Sequence, residues 1–540
     1  MCIRDSAKVG QDSSISEFGH AVDAGCVGLL SWLQAHSQRA AANLGSGKSR
    51  VLVVTRAARA VVACEPTQPL QAMLWGFSGV IASEHPELQV QRIDVDSTTA
   101  KTPSAMAAVL YEELASNDPE HTIAWRGSVR YAARLTPSSP DEPALVPAVA
   151  VRGDATYVVT GGLSGLGLQV AGWLAAQGAK RLLLLGRRAP AADAEQTLQL
   201  IRQQGAEVIV ALVDITDADA LQTVLKQSTS TAFPLRGIIH SAAVLEDNIL
   251  LTLQPEQLLR VLAPKVLGAL QLEQLTRTTE LDFFVVFSSV AAVLSNPGQS
   301  SYCAANAFLD SLAEARLASG KCALSIAWGP WAATGLAARG QLGDRLSARG
   351  LKSLQPDDGL QALARLLLSG SSTCCPVVAN LDVERWLETA NNRDEALFCE
   401  ARFTKAGAVQ PLKEPITLPA VPKNFAAPDS LRAELQALSG VSRQQRLSAV
   451  LQDFVAKILR TTASQRGQLA LELPLTRLGL DSLMAVELRN RIDAELGVRV
   501  PLSLVMQNGT IRLISERVLQ ELPAAIEESA QSEVWEEGEL

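Results

Sequence analysis

No two cysteines in this chain are spaced as a CxxC pair. Eight cysteines are present, and the one close pair, Cys374-Cys375, is adjacent, which is poor spacing for a metal site; free thiols are the plain reading. The five histidines are scattered and form no HExxH, so nothing points to a helix-borne zinc site. There is no Lys/Arg-rich block, and a net charge of −8 argues against a nucleic-acid binder. Much of that charge is local, because the stretch from Pro523 to Leu540 holds six Glu and no Lys or Arg. Residues 283–309 lack charge, yet Asn296, Pro297, Gly298, Gln299 and several serines break them up, so they do not read as a membrane span. No signal peptide is visible and the expected location is cytoplasmic. Residues 1–6 carry no pattern and are set aside.

At 540 residues, 47% of them hydrophobic, the chain is long enough for three or four domains. Its centre is the stretch Ala155-Thr-Tyr-Val-Val-Thr-Gly-Gly-Leu-Ser-Gly-Leu-Gly167. A short β-branched run ends at Thr160, a turn over Gly161, Gly162, Leu163 and Ser164 follows, and Gly165, Leu166 and Gly167 begin a helical pattern. Gly161 lets the chain turn, Gly165 lets backbone N–H groups approach a pyrophosphate, and Gly167 lets helix and strand pack closely. The pyrophosphate then rests on the helix N-terminus.

Around this stretch the chain divides in order. Residues 24–135 read as a small α/β unit, with strands at 50–55 and 90–95, helices at 69–83 and 106–114, and a hairpin over 122–134. Its first strand is followed by Thr55-Arg-Ala-Ala-Arg59 rather than a glycine-rich turn, so it has the shape of a nucleotide fold without the chemistry. Four prolines mark residues 136–150 as a linker. Residues 151–390 alternate strands at 155–160, 181–186, 207–213, 236–241, 282–288 and 322–327 with helical patterns. That alternation predicts a parallel doubly wound sheet. Runs such as Leu182–Leu185 are apolar throughout, as a sheet covered on both faces requires. A second proline-rich linker is expected at 391–428. Residues 430–522 read as an all-α, four-helix bundle, with Leu447, Val450, Leu451, Phe454, Val455, Ile458 and Leu459 on one face, and Leu483, Val486, Ile492 and Leu496 inward on a second helix. The acidic tail, 523–540, reads as a solvated end, with a partner-docking segment as the alternative. The predicted fold class is therefore α/β, with two Rossmann-like doubly wound units followed by the all-α bundle.

Arg187 and Arg188 follow the second strand of the larger unit, where a nucleotide fold faces the adenosine ribose. An acidic residue there selects NAD; a guanidinium favours a 2′-phosphate and implies NADPH, unless the pair is simply solvated. Asp214 closes the third strand and either accepts from the adenine amine or caps a loop. Ser289 ends a later strand, Tyr302 lies thirteen residues on, and Asn306 is one helical turn beyond on the same face. The Ser and Tyr hydroxyls can grip a ketone oxygen. A free phenol ionises near pH 10, so it needs a nearby cation to act as an acid near neutrality. Lys265, upstream on a predicted helix, is the candidate.

These residues closely resemble the ketoreductase domains of modular polyketide synthases, within the short-chain dehydrogenase/reductase superfamily. In most of that superfamily a Lys follows the Tyr by four residues; here Asn306 stands there and the Lys is upstream, the arrangement of the synthase branch. Ala327-Trp-Gly-Pro-Trp331 resembles that branch too, and Leu74-Trp-Gly76 with His85-Pro-Glu-Leu88 resembles its structural, non-catalytic subdomain. In the bundle, Gly479-Leu-Asp-Ser-Leu483 is similar to the acyl carrier protein motif, which implies a 4′-phosphopantetheine arm on Ser482 at a helix start, where backbone N–H groups tolerate a phosphodiester.

The resemblance implies reduction by NADPH of a β-ketoacyl thioester carried on Ser482. Tyr302 donates the proton, Ser289 holds the oxyanion, Lys265 lowers the phenol's pKa, and Asn306 holds Lys265 or a relay water. Leu245-Glu246-Asp247 stands where D-hydroxyl reductases often have Leu-Asp-Asp, and Leu294 stands where the opposite class has Trp; both favour the D-hydroxyl. Ala243 stands where Gly is usual. Implied partners are a phosphopantetheinyl transferase, ketosynthase and acyltransferase domains upstream or in trans, since no signature of either is found, and a downstream module or thioesterase. The competing readings are a non-catalytic scaffold with a carrier, a fatty-acid-synthase-like reductase, and a free-standing reductase of metabolites.

Overall fold

The computed structural model describes residues 15–42, 49–332, 342–389, 396–398, 431–459 and 469–522, apart from positions 97, 98, 100, 101, 117, 139–141, 481, 499, 507 and 508. The expected linker over 391–428 lies almost entirely outside the described residues, and the acidic tail and residues 1–6 lie wholly outside them. The described residues fall into two compact units, one holding both α/β halves and one holding the C-terminal helices.

The first half opens with helices α1 (Ile15–Ala21) and α2 (Gly28–Ala42), joined by a π-helical segment, Val22–Val27. Sequence reading begins the unit at 24 and misses α1, although its buried Phe18 and the adjoining Val22 join the central core. Strands β1 (Val51–Arg56), β2 (Val90–Val95), β3 (Thr122–Arg126) and β4 (Val129–Ala132) then form a sheet in sequential order. The first three are parallel and β4 closes the predicted hairpin antiparallel to β3. Because the strand order never reverses, this sheet has no switch-point crevice in which a nucleotide could lodge. Helix α3 (Pro69–Glu84) joins β1 to β2 and α4 (Pro103–Ala115) joins β2 to β3.

The second half is built on seven parallel strands: β5 (Thr156–Thr160), β6 (Arg181–Gly186), β7 (Glu207–Leu212), β8 (Leu235–His240), β9 (Phe283–Ser289), β10 (Leu324–Trp328) and the short β12 (Val377–Val378). Their order is β12-β10-β9-β8-β5-β6-β7. The chain winds outward from β5 through β6 to β7, then returns to β8 on the other side of β5. Tyr157, Val158, Val159 and Leu182–Leu184 have no exposed surface, because α5 (Gly165–Ala176), α6 (Ala192–Gln203), α7 (Ala218–Ser228), α8 (Pro255–Leu275) and α10 (Ser300–Ala318) cover the two faces. The short helix α9 (Ala291–Leu294) precedes α10. Outside the sheet lie α11 (Leu342–Ala348), α12 (Pro356–Leu368), α13 (Val383–Thr389) and the two-residue strands β11 (Leu351–Lys352) and β13 (Asn380–Leu381).

The two halves are not independent. Gly76 and Gly79 of α3 face α10 and the turn before it, and a Cβ at either would run into the Cys303 carbonyl or the Ser295 hydroxyl. Absence of side chains there lets α3 lie directly on the helix that carries Tyr302. The proline-rich segment expected as a linker is docked as well: Leu145 and Val146 donate backbone N–H groups to the Ser371 carbonyl at 2.8 and 2.9 Å.

The second unit is helical, with α14 (Leu431–Ala437), α15 (Gly440–Ile458), α16 (Ser482–Leu496), α17 (Leu502–Met506) and α18 (Ile511–Glu521). Leu447, Leu451, Phe454, Val486, Ile492, Leu496, Ile514 and Val518 are buried in it. Thr510 caps α18, its hydroxyl accepting from the Leu513 N–H at 3.2 Å.

Candidate functional site

The glycine turn folds as its residues dictate. Gly161 takes φ +68° and Gly165 φ +52°, left-handed values open to glycine at no steric cost. A Cβ at Gly161 would also meet the Ala242 backbone at 3.2 Å, and one at Gly167 would run into the Gly161 carbonyl. Gly167 therefore lets the start of α5 lie against the turn, as its position predicts. Ser164 and Gly165 are exposed, and no side chain caps the helix. The first-turn N–H groups thus have no side-chain competitor, and the turn lies beside the point where strand order reverses, between β5 and β8. This uncapped helix end, with a backbone cradle that a Cβ would fill, fits a dinucleotide pyrophosphate.

Arg187 is exposed just past β6, with its guanidinium 4.0 Å from the Asp214 carboxylate past the end of β7. Both follow the ends of parallel strands on the same side of the sheet as the glycine turn. Asp214 is occupied locally: its Oδ1 accepts from the Thr216 N–H at 2.9 Å and the Thr216 hydroxyl at 2.7 Å. Between the two sequence alternatives, the geometry favours the loop cap.

The catalytic candidates converge at the same end of the sheet. Ser289 is the last residue of β9, Tyr302 and Asn306 lie on the first turns of α10, and Lys265 projects from α8. The Ser289 hydroxyl accepts from the Ala291 N–H at 3.2 Å, and the Ser289 and Asn306 side chains both act on the Tyr302 phenol. Lys265 Nζ lies 5.4 Å from the centre of the Tyr302 ring and donates to the Phe287 carbonyl at 2.6 Å. Asn306 Nδ2 donates to the Tyr302 carbonyl at 2.8 Å, while its buried Oδ1 has no protein partner. A buried amide oxygen left open is costly unless something donates to it, and it is suited to a water or an ammonium.

The electrostatics differ from the sequence expectation. Burial pushes the Tyr302 phenol up to about 12, against the opposing hydrogen bonds to Asn306 and Ser289. Burial also pushes Lys265 down to about 7, against the attraction of Asp310. The lysine expected to lower the phenol's pKa is itself deprived of water, and at both groups burial is the largest cause of the shift.

One buried residue not expected from sequence ties the site together. His240 ends β8; its Nδ1 lies 2.8 Å from the Thr160 hydroxyl and its Nε2 3.3 Å from the Lys265 carbonyl. Burial, then the Lys265 charge, holds the ring neutral with a pKa of about 3. A carbonyl only accepts, so Nε2 carries the proton and Nδ1 accepts from Thr160. The Thr160 oxygen then receives the N–H groups of Ser241 and Ala242 at 3.1 and 3.2 Å. The glycine turn and the lysine helix are thus joined through one imidazole.

The Leu245-Glu246-Asp247 stretch follows β8. Glu246 is held by Arg260 at 2.8 Å and Gln257 at 3.1 Å. Asp247 accepts from Gln299 Nε2 at 3.2 Å on both oxygens, and Gln299 stands just before α10, three residues ahead of Tyr302. Leu294 is buried in α9. In the helical unit, α16 begins at Ser482, shortly after Gly479 at φ +93° and the buried Leu480. Asp481 lies outside the described residues, as do the side chains of Ser482 and Leu483.

Three stretches match known families: residues 155–333 a KR domain, 449–518 a phosphopantetheine attachment site, and 7–135 the Rossmann fold domain of the polyketide synthase extender module SpnB. The chain is 34% identical over 494 residues to a phenolphthiocerol/phthiocerol polyketide synthase of Mycobacterium tuberculosis, a match covering 90% of this chain and 25% of that protein. It therefore spans about a quarter of that relative's length. Among solved structures it is similar to an A1-type ketoreductase (32% identity, TM-score 0.63, 70% of this chain and 78% of that one). It is also similar to an A-type ketoreductase from a modular polyketide synthase (34% identity, TM-score 0.60, 66% and 75%).

Proposed function

Because the chain belongs to the modular polyketide synthases, as a ketoreductase-plus-carrier portion, we propose that it reduces a β-ketoacyl thioester to the β-hydroxyacyl thioester with NADPH. The acyl chain is held on a 4′-phosphopantetheine arm at Ser482. The observation that carries this reading is the meeting of Ser289, Tyr302, Lys265 and Asn306 beside the glycine turn, in a chain that also bears a phosphopantetheine attachment region.

The backbone of Gly161–Gly167 would hold the cofactor's pyrophosphate, and Arg187 would meet a ribose 2′-phosphate, which favours NADPH over NADH. When bound, the dihydronicotinamide supplies the hydride that the β-carbon accepts. Ser289 and Tyr302 donate hydrogen bonds to the ketone oxygen and so stabilise the charge that develops there. Tyr302 then gives its proton to that oxygen, which completes the hydroxyl. The tyrosinate left behind is stabilised by the Lys265 ammonium and reprotonated from it or through water held at Asn306 Oδ1. With so high a pKa the phenol remains protonated through the neutral range, as a proton donor must.

Leu245-Glu246-Asp247 and the absence of Trp at 294 support the D-hydroxyl product, which chiral chromatography of the product decides. A phosphopantetheinyl transferase must load Ser482. Ketosynthase and acyltransferase domains must make the β-ketoacyl chain, and a downstream module or thioesterase must take it on. The cytoplasm supplies NADPH and fits free thiols. The deciding experiment loads a β-ketoacyl arm on Ser482 and follows NADPH-dependent gain of two hydrogens by mass spectrometry. No gain with the wild-type chain, or full activity in Tyr302→Phe, overturns the reading.

A further inference from the structure

Helix α3 of the non-catalytic half ends in a buried carboxylate. Glu84 is its last residue and has no exposed surface. A carboxylate there is unfavourable twice over, because burial strips its water and the negative end of the helix dipole repels it. Both of its oxygens accept from backbone N–H groups of the catalytic half. Oε2 accepts from Leu250 and Oε1 from Gly298, each at 2.7 Å, as short as hydrogen bonds to an ionised acceptor become. Leu250 lies in the loop between β8 and α8, three residues after Leu245-Glu246-Asp247. Gly298 lies in the turn between α9 and α10. Loop and turn also hold each other: the Asn248 N–H donates to the Gly298 carbonyl at 2.8 Å, and Gln299 reaches Asp247 at 3.2 Å. Two neighbours of Glu84 grip the same segments. Ser83 donates its hydroxyl to the Ser295 carbonyl at 2.8 Å, and Gln34 Nε2 of α2 donates to the Leu250 and Leu253 carbonyls at 2.9 and 3.0 Å.

We propose that Glu84, together with Gln34, is a positioning residue of the reduction: from the non-catalytic half it fixes the 245–250 loop against the 295–299 turn, and so sets how the β-ketoacyl chain lies across Tyr302. This rests on the reductase reading above. The turn leads directly into α10, and Gln299 stands three residues ahead of Tyr302, so the turn is continuous with the proton donor. The loop carries Leu245-Glu246-Asp247, the stretch proposed to set the hand of the product. Where the two segments meet therefore decides the angle between the donor and the residues that steer the chain. Glu84 bonds to both segments at once. Hydrogen bonds to a buried charge are about twice as strong as neutral ones, so the carboxylate holds this junction harder than the neutral bond from Asn248 to Gly298 can. A misplacement of about 1 Å is enough to spoil the orientation of a reacting group.

The test is Glu84→Gln in the full chain, assayed with NADPH and a β-ketoacyl N-acetylcysteamine thioester. Gln keeps the size but has one acceptor oxygen, so one of the two N–H groups loses its partner and faces an amide N–H instead. Chiral chromatography should show the ratio of the two 3-hydroxyacyl enantiomers falling by about tenfold or more, the size of one lost hydrogen bond to a charged acceptor. KM for the thioester should rise about threefold or more while KM for NADPH stays within about twofold, because the glycine turn and Arg187 are untouched. A merely structural residue would lower stability and the amount of active enzyme but leave the ratio alone, so an unchanged ratio overturns the proposal. Should the Gln variant not fold, Gln34→Met leaves α3 intact and must lower the ratio in the same direction; an unchanged ratio there overturns the proposal too. Amide hydrogen exchange reads the same clamp without turnover. Peptides covering 245–253 and 295–299 should exchange about tenfold faster or more in Glu84→Gln, while those covering 161–167 do not change. Equal exchange in the two proteins overturns the proposal, whereas an inactive wild-type chain sinks the reductase reading and leaves the clamp to be decided by exchange.

Discussion

Tyr302 holds a proton that its surroundings make hard to remove, because burial raises its pKa to about 12. For a group that must stay protonated until the ketone oxygen gains charge, this is useful. Replacing it with Phe removes the donor while leaving the ring against Lys265. We expect kcat/KM for a β-ketoacyl thioester to fall by about 10²–10⁴-fold, with NADPH still binding by fluorescence titration. At the cofactor end, Arg187→Ala removes the guanidinium but not the glycine turn. The preference for NADPH over NADH should fall about tenfold or more, since a charge-assisted hydrogen bond contributes about 1.5–3 kcal/mol, and the ratio of the two KM values measures it. Ser482→Ala should abolish the mass gain seen when the chain is incubated with coenzyme A and a phosphopantetheinyl transferase. These residues were legible because each sits on a local pattern: a glycine triad after a strand, an Arg after the next strand, a Ser-to-Tyr spacing, a Ser at a helix start. Glu84, 166 residues from Leu250 and 214 from Gly298 in the chain, gave no sign at all.

Elements show why one packed surface matters more than any single contact. Helix α3 can approach α10 only because Gly76 and Gly79 carry no side chain. Gly76→Ala must push a methyl group into the Cys303 carbonyl, which belongs to the backbone and cannot swing aside. Overpacking of this kind costs roughly 1–3 kcal/mol, so the urea midpoint should fall. Because Cys303 follows Tyr302, kcat should fall with it. Strands β5–β10 were visible in outline from their apolar runs, and their ends shifted by only one or two residues. Helix α1 was missed because its short sequence, with glycine and a π-helical continuation, shows no clear 3.6-residue stripe. The edge strand β12 has only two residues, and it is recognisable because β10 recruits it.

Across the whole reductase unit, stability and chemistry share buried ionisable groups. His240 is pushed from 6.5 down to about 3, first by burial and then by Lys265. Between those values the unfolded chain binds a proton that the folded chain refuses, so stability is complete above about pH 6.5 and is lost as pH falls towards 3. The urea midpoint should therefore drop between pH 7 and pH 5, and His240→Asn should flatten that dependence; an equal drop in the variant would assign it to other groups. The sequence by itself determined the order of the parts and the glycine turn, and singled out the proposed acid–base set and carrier serine, because each is written in a few neighbouring residues whose backbone conformation is locally dictated. Tertiary structure alone decided that the first half lies on the catalytic helix and that Glu84 reaches Leu250 and Gly298. It also decided that Lys265 and Tyr302 are buried together, the one pushed down to about 7 and the other up to about 12, because burial and long-range charge depend on what folds over a residue rather than on what stands beside it in the chain.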